Sequence, residues 1–145
     1  MDYVCDAPDQ LTWFRIVTEA EAAAESREMR HAVEKYFRRE WDRAASEYQP
    51  ATSVFIEQAI GLNDHIRRAM PLFLTLRDSD GVGHVTAMLP PNPPASGGTP
   101  ARGFTPVVVG PANADPYPTH TPAIEALAQH FGLALDRTRC YPYHR

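Results

Sequence analysis

A chain of 145 residues with 43% hydrophobic and 22% charged side chains has the size and make-up of one globular domain with a real core. Its net charge of −4 argues against a generic binder of nucleic acid or of acidic membrane surfaces, since both rest on an excess of Lys and Arg. No apolar run approaches the roughly 20 residues that span a bilayer, and Met1-Asp2-Tyr3-Val4-Cys5 lacks the basic and apolar segments of a signal peptide. A cytoplasmic protein without a membrane partner is expected.

Residues 2–5 and 12–17 are rich in β-branched and aromatic side chains around a turn-like Ala7-Pro8-Asp9-Gln10, which predicts an opening hairpin. Thr18-Glu19-Ala20-Glu21 then has the form of a capping box. No proline or glycine follows before Pro50, so one long helix is predicted over 18–48, with Ala22, Met29, Val33, Phe37, Trp41, Ala44 and Tyr48 on a single apolar stripe. A helix of about 30 residues is on the order of 45 Å long, whereas a compact domain of this size is roughly 38 Å across. Either the helix bends or a partner covers one end, most economically a second copy of the chain. Trp41 and Tyr48 are the interface candidates. The basic residues of the stretch scatter around the wheel among acids and read as a solvated face.

Ser53-Val54-Phe55-Ile56-Glu57 reads as a short strand, and Asn63 as the N-cap of a short helix over 63–69. Residues 72–77 and 83–89 flank Asp78-Ser79-Asp80-Gly81 and give the strongest hairpin signal of the chain. A calcium loop fails there, because the further oxygen ligands and flanking helices are missing. Residues 90–103 form a Pro/Gly-rich segment with nothing to bury, expected to be a flexible surface loop. Thr105-Pro106-Val107-Val108-Val109, unbroken in apolar character from 107 on, is expected to be a central strand. A proline-stiffened loop over 110–120 leads to Thr121-Pro122, a helix start, with Gly132 as its end. Leu133-Ala134-Leu135 is a possible last strand before an aromatic tail.

Phosphate-binding, serine-hydrolase and zinc-protease motifs are all lacking. Three scattered groupings remain. Asp115, Tyr117 and His120 lie on the stiff loop before a helix, where ligands collect at strand ends and helix N-termini, and Asp115 has the chemistry to orient His120 as a base. Cys140 and His144, joined by Cys5 and His120 or His130, have the atoms for zinc but no paired knuckle, so no metal is expected. His65, Arg67 and Arg68 beside Gly61 read as ordinary surface charge. Cys5 and Cys140, close to the two ends of the chain, are expected to be free thiols.

The resulting expectation is a single α+β domain over 1–145. It has a small, mostly antiparallel sheet of about five or six strands, packed against one long N-terminal helix and a shorter C-terminal helix. The absence of catalytic signatures favours an accessory or regulatory binding protein that acts through protein contacts or self-association, without cofactor. The alternative is a small enzyme or ligand-binding domain with its site at the 110–121 loop.

Overall fold

The computed structural model describes residues 1–48, 55–91 and 104–143, and for 55–59 the backbone alone. Five strands, β1 (Asp2–Ala7), β2 (Leu11–Arg15), β3 (Leu72–Arg77), β4 (Gly83–Leu89) and β5 (Val107–Val109), form one antiparallel sheet in the order β1-β2-β3-β4-β5. Between the neighbouring strands β2 and β3 the chain makes α1 (Glu19–Met29), α2 (Val33–Ser46) and α3 (Phe55–Ala69), and after β5 it makes α4 (Tyr117–Phe131). The class is α+β, as expected.

Side chains of β3 and β4 alternate between two buried clusters, one on each face of the sheet. Leu72, Leu74, Leu76, Val85, Ala87 and Leu89 join Trp13 and Val108 against Ile124 and Leu127 of α4 and against Leu133, Leu135 and Cys140. Phe73 joins Ile16, Ala22, Val33, Phe37, Ala44, Ile66 and Met70 on the α1–α3 side. Trp13 also donates its indole N–H to the Ala123 carbonyl at 2.8 Å, which ties β2 to α4.

The capping box at Thr18 forms as predicted, with Glu21 accepting from the Thr18 amide at 3.0 Å and Thr18 Oγ1 accepting from the Glu21 amide at 3.1 Å. The single long helix does not. The stretch breaks at Arg30, which takes a left-handed conformation with φ 56°, and restarts at Val33. This bend resolves the mismatch between helix length and domain width inside the chain. The apolar stripe survives it, with Ala22, Met29, Val33, Phe37 and Ala44 buried.

Three further expectations are corrected. Residues 55–57 of the expected strand 53–57 are the first turn of α3, which absorbs the short helix 63–69; residues 53 and 54 lie outside the described residues. A short apolar run does not distinguish a strand from a buried helix. Gly61 lies inside α3 with Tyr48 packed on it: a Cβ there would lie 2.3 Å from the tyrosine oxygen. Val107–Val109 is an edge strand, with Val108 in the α4-side core and Val107 and Val109 on the opposite face. Its outer edge is met by Tyr141, whose carbonyl accepts from the Val108 amide at 3.3 Å and whose amide donates to the Pro106 carbonyl at 2.8 Å. Leu133–Leu135 is not a strand but anchors both leucines in the α4-side core. The segment 90–103 falls largely on residues outside those described, from 92 to 103.

Candidate functional site

The corner between α1 and α2 has no glycine or proline to build it, so side chains satisfy its amides. Ser26 Oγ accepts from the Glu34 amide at 2.8 Å, and the Ser26 carbonyl accepts from the Arg30 and His31 amides. His31 Nδ1 accepts from the Val33 amide at 3.4 Å. The other ring nitrogen, Nε2, lies 2.8 Å from Thr86 Oγ1 on β4. Thr86 in turn donates to Glu25 Oε2 at 2.5 Å. Its one proton is therefore spent on Glu25, so His31 must donate from Nε2, which makes it the neutral Nε2–H tautomer. Burial pushes the His31 pKa below its ordinary value, with the Glu25 charge opposing.

Glu25 is fully buried, and its second oxygen is paired with the Arg77 guanidinium. Arg77 also donates to Glu28 at 2.9 Å, to the Gly81 carbonyl at 2.8 Å and to Thr75 Oγ1 at 3.1 Å. Glu28 accepts from the Gly83 amide at 2.7 Å. A buried carboxylate persists only when it is paired and hydrogen-bonded, and this one is held by a cation and a hydroxyl.

Beside the network opens a cavity of about 570 Å³ between the helix corner and the β4–β5 edge. Phe73, Met88, Val107 and Val109 give it apolar walls, and His31 and Thr86 lie on its buried side. Tyr36, Arg39, Thr105, Asn113 and Tyr141, all exposed, stand around its opening. The Arg39 guanidinium rests over the Tyr36 ring at 4.9 Å. This volume lies within the range of pockets that take small organic molecules.

The hydrogen-bond order limits the chemistry. In a nucleophile triad the imidazole stands between hydroxyl and carboxylate, whereas here the hydroxyl stands between imidazole and carboxylate. Both His31 nitrogens are engaged, so His31 does not offer a base to the cavity. The arrangement rigidifies one wall of a pocket.

The residues singled out on the 110–121 loop are dispersed. Asp115 accepts from the Tyr117 amide at 3.1 Å and pairs with Arg137 at 2.9 Å, so it starts α4 and fastens the C-terminal segment. Tyr117 is buried, its hydroxyl donates to the Leu135 carbonyl at 2.8 Å, and burial raises its pKa. His120 sits at a kink in α4, before the interior Pro122, with its ring 5.3 Å from that of His84. The helix thus begins at Tyr117, ahead of Thr121, whose hydroxyl donates back to the Tyr117 carbonyl at 2.5 Å. A bulge in β4 opposite Leu76 and Arg77 re-aims His84, and His84 lies 2.8 Å from Asp78 Oδ2. Burial, with His84 adding to it, lowers the His120 pKa. Of this loop only Asn113 lines the cavity.

Trp41 is half-buried and stacks on Phe37 at 6.0 Å, and Tyr48 packs on Gly61 and on His65 at 5.4 Å, so both serve contacts within the chain. Cys5 and Cys140 are free thiols, packed on the α4-side core. Among the described residues no group of three or more His, Cys, Asp or Glu is placed to hold a metal ion, and no helix is long and apolar enough to cross a membrane. His144 lies outside the described residues.

The pocket residues His31, Thr86 and Arg39 were not singled out by the sequence. The available signals were Glu25, a carboxylate on the stripe with Ala22 and Met29, and Thr75 and Thr86, hydroxyls within the otherwise apolar runs 72–76 and 85–89.

Compared with protein-family models, with curated proteins and with solved structures, the chain matches none.

Proposed function

We propose that this protein is a binding domain for a small, largely apolar molecule, held in the cavity between the α1–α2 corner and the β4–β5 edge. The observation that carries the reading is the cavity itself, about 570 Å³ with apolar walls and a polar side already locked by internal hydrogen bonds. Binding rather than catalysis is supported by the engaged His31 nitrogens and by the order of the Thr86 hydrogen bonds. The reading keeps the expected absence of catalysis and moves the site off the Asp115–His120 loop. Action through protein contacts or as a homodimer has less behind it, since Trp41 and Tyr48 are spent on internal packing. Two free thiols support a reducing, cytoplasmic setting.

The test is a fragment screen by heteronuclear NMR on the isotope-labelled protein. Apolar fragments should shift resonances of His31, Met88, Val107 and Val109, and a blocking Ala32→Trp variant should abolish those shifts. Hits that map instead to Asp115, Tyr117 and His120 would return the site to the loop and overturn the reading.

A further inference from the structure

Resting on that pocket, we infer that its ligand is an amphipathic carboxylate that inserts its apolar body and leaves its acid group at the opening. The side-chain donors of His31 and Thr86 on the buried side are used up. His31 donates to Thr86 and accepts from the Val33 amide, and Thr86 spends its proton on Glu25. A ligand acceptor pushed inward would have to break one of these bonds or go without a partner, a loss in either case.

The amides at the start of α2 are taken as well. Val33 donates to His31, Glu34 to Ser26, and Lys35 and Tyr36 to the Ala32 carbonyl. A ligand's polar group therefore belongs at the mouth, where Arg39, Thr105 and Asn113 are exposed.

Charge then selects its sign. Arg39 is the one formally charged side chain lining the cavity among the described residues, in a chain whose net charge is −4. Its nearest carboxylate, Glu40, stands 3.7 Å away, while Glu40 is also held by Arg43 at 2.8 Å. The Tyr36 ring orients the guanidinium, whose planar fork suits a carboxylate. The cavity thus offers a cation at its rim and hydrocarbon within.

The experiment compares decanoate, decanol and decylamine, all below their micelle concentrations, by NMR titration of wild type, Arg39→Gln, Ala32→Trp and Val107→Trp. Decanoate should bind wild type about two- to fivefold more tightly than decanol, the reach of a rim ion pair, with decylamine weakest. Arg39→Gln should erase the preference without changing decanol binding, and added salt should shrink it. Equal binding of acid and alcohol, or an equal loss of both in Arg39→Gln, would overturn the carboxylate assignment and leave the pocket standing. No binding of any probe, or binding unchanged in both tryptophan variants, would overturn the pocket itself.

Discussion

Thr86→Val tests the network that braces the pocket, because it keeps the shape of the side chain and removes only its hydroxyl. Thr86 is 4% exposed and links a fully buried carboxylate to His31. A hydrogen bond to a charged group contributes about 1.5–3 kcal/mol, and the stranded half-buried His31 N–H adds about 1 kcal/mol. The expected loss is therefore about 3 kcal/mol, a drop of roughly 1.5–2 M in urea midpoint for a domain of this size. Thr86→Ser keeps the hydroxyl and loses one methyl, so it should cost only about 1 kcal/mol. Equilibrium urea unfolding at pH 8, followed by the fluorescence of Trp13 and Trp41 with the slope held common, measures both. A valine variant that loses less than about 1 kcal/mol, or no more than the serine variant, would refute the argument that Thr86 serves Glu25 and His31 together.

Other consequences are equally direct. Replacing Arg30 by Gly should stabilise by about 1 kcal/mol in thermal or urea melts, because a left-handed conformation strains any residue with a Cβ. His31 has a folded pKa below its ordinary 6.5, so the unfolded chain takes up the proton first. The stability it contributes is complete above pH 6.5 and is lost as pH falls below that through the folded value. His31→Gln should flatten that part of the stability–pH profile, leaving the contribution of His120, whose pKa is also lowered. Tyr117→Phe removes a buried hydroxyl that serves the Leu135 carbonyl, and it should cost about 1–2 kcal/mol in stability with ligand affinity unchanged. An affinity loss in that variant would implicate the 110–121 loop after all.

The hairpins were legible because their signals are local: alternating side chains around Pro8-Asp9 and around Asp78–Gly81 define strands without reference to the rest of the chain. The capping box at Thr18 and the glycine cap at Gly132 were legible for the same reason. The break at Arg30 was not. Its stabilisation comes from Ser26 and from His31 reaching a strand 55 residues away, and no propensity of Arg30 announces it. Position in the sheet was hidden as well, since three consecutive valines look alike at the centre of a sheet and at its edge. The pocket lines a seam between the helix corner, β4, β5 and the C-terminal segment, each of which supplies one or a few unexceptional residues. The signals open to a reader of the sequence were Glu25, a carboxylate beside an apolar stripe, and the hydroxyls of Thr75 and Thr86.

The excursion of α1–α3 between two adjacent strands also bears on the order in which the sheet assembles. Arg15 and Leu74 are cross-strand partners, yet the whole helical layer intervenes between them, whereas β3 and β4 are joined by a short turn. Closing the longer connection costs about 2 kcal/mol more chain entropy than closing the turn. The β3–β4 hairpin is thus the natural nucleus, and the β2–β3 seam joins only once the helices have gathered against Phe73. The same seam should be the first to part under native conditions, so the β2 and β3 amides that bond across it should exchange with solvent sooner than the amides that bond across the β3–β4 ladder.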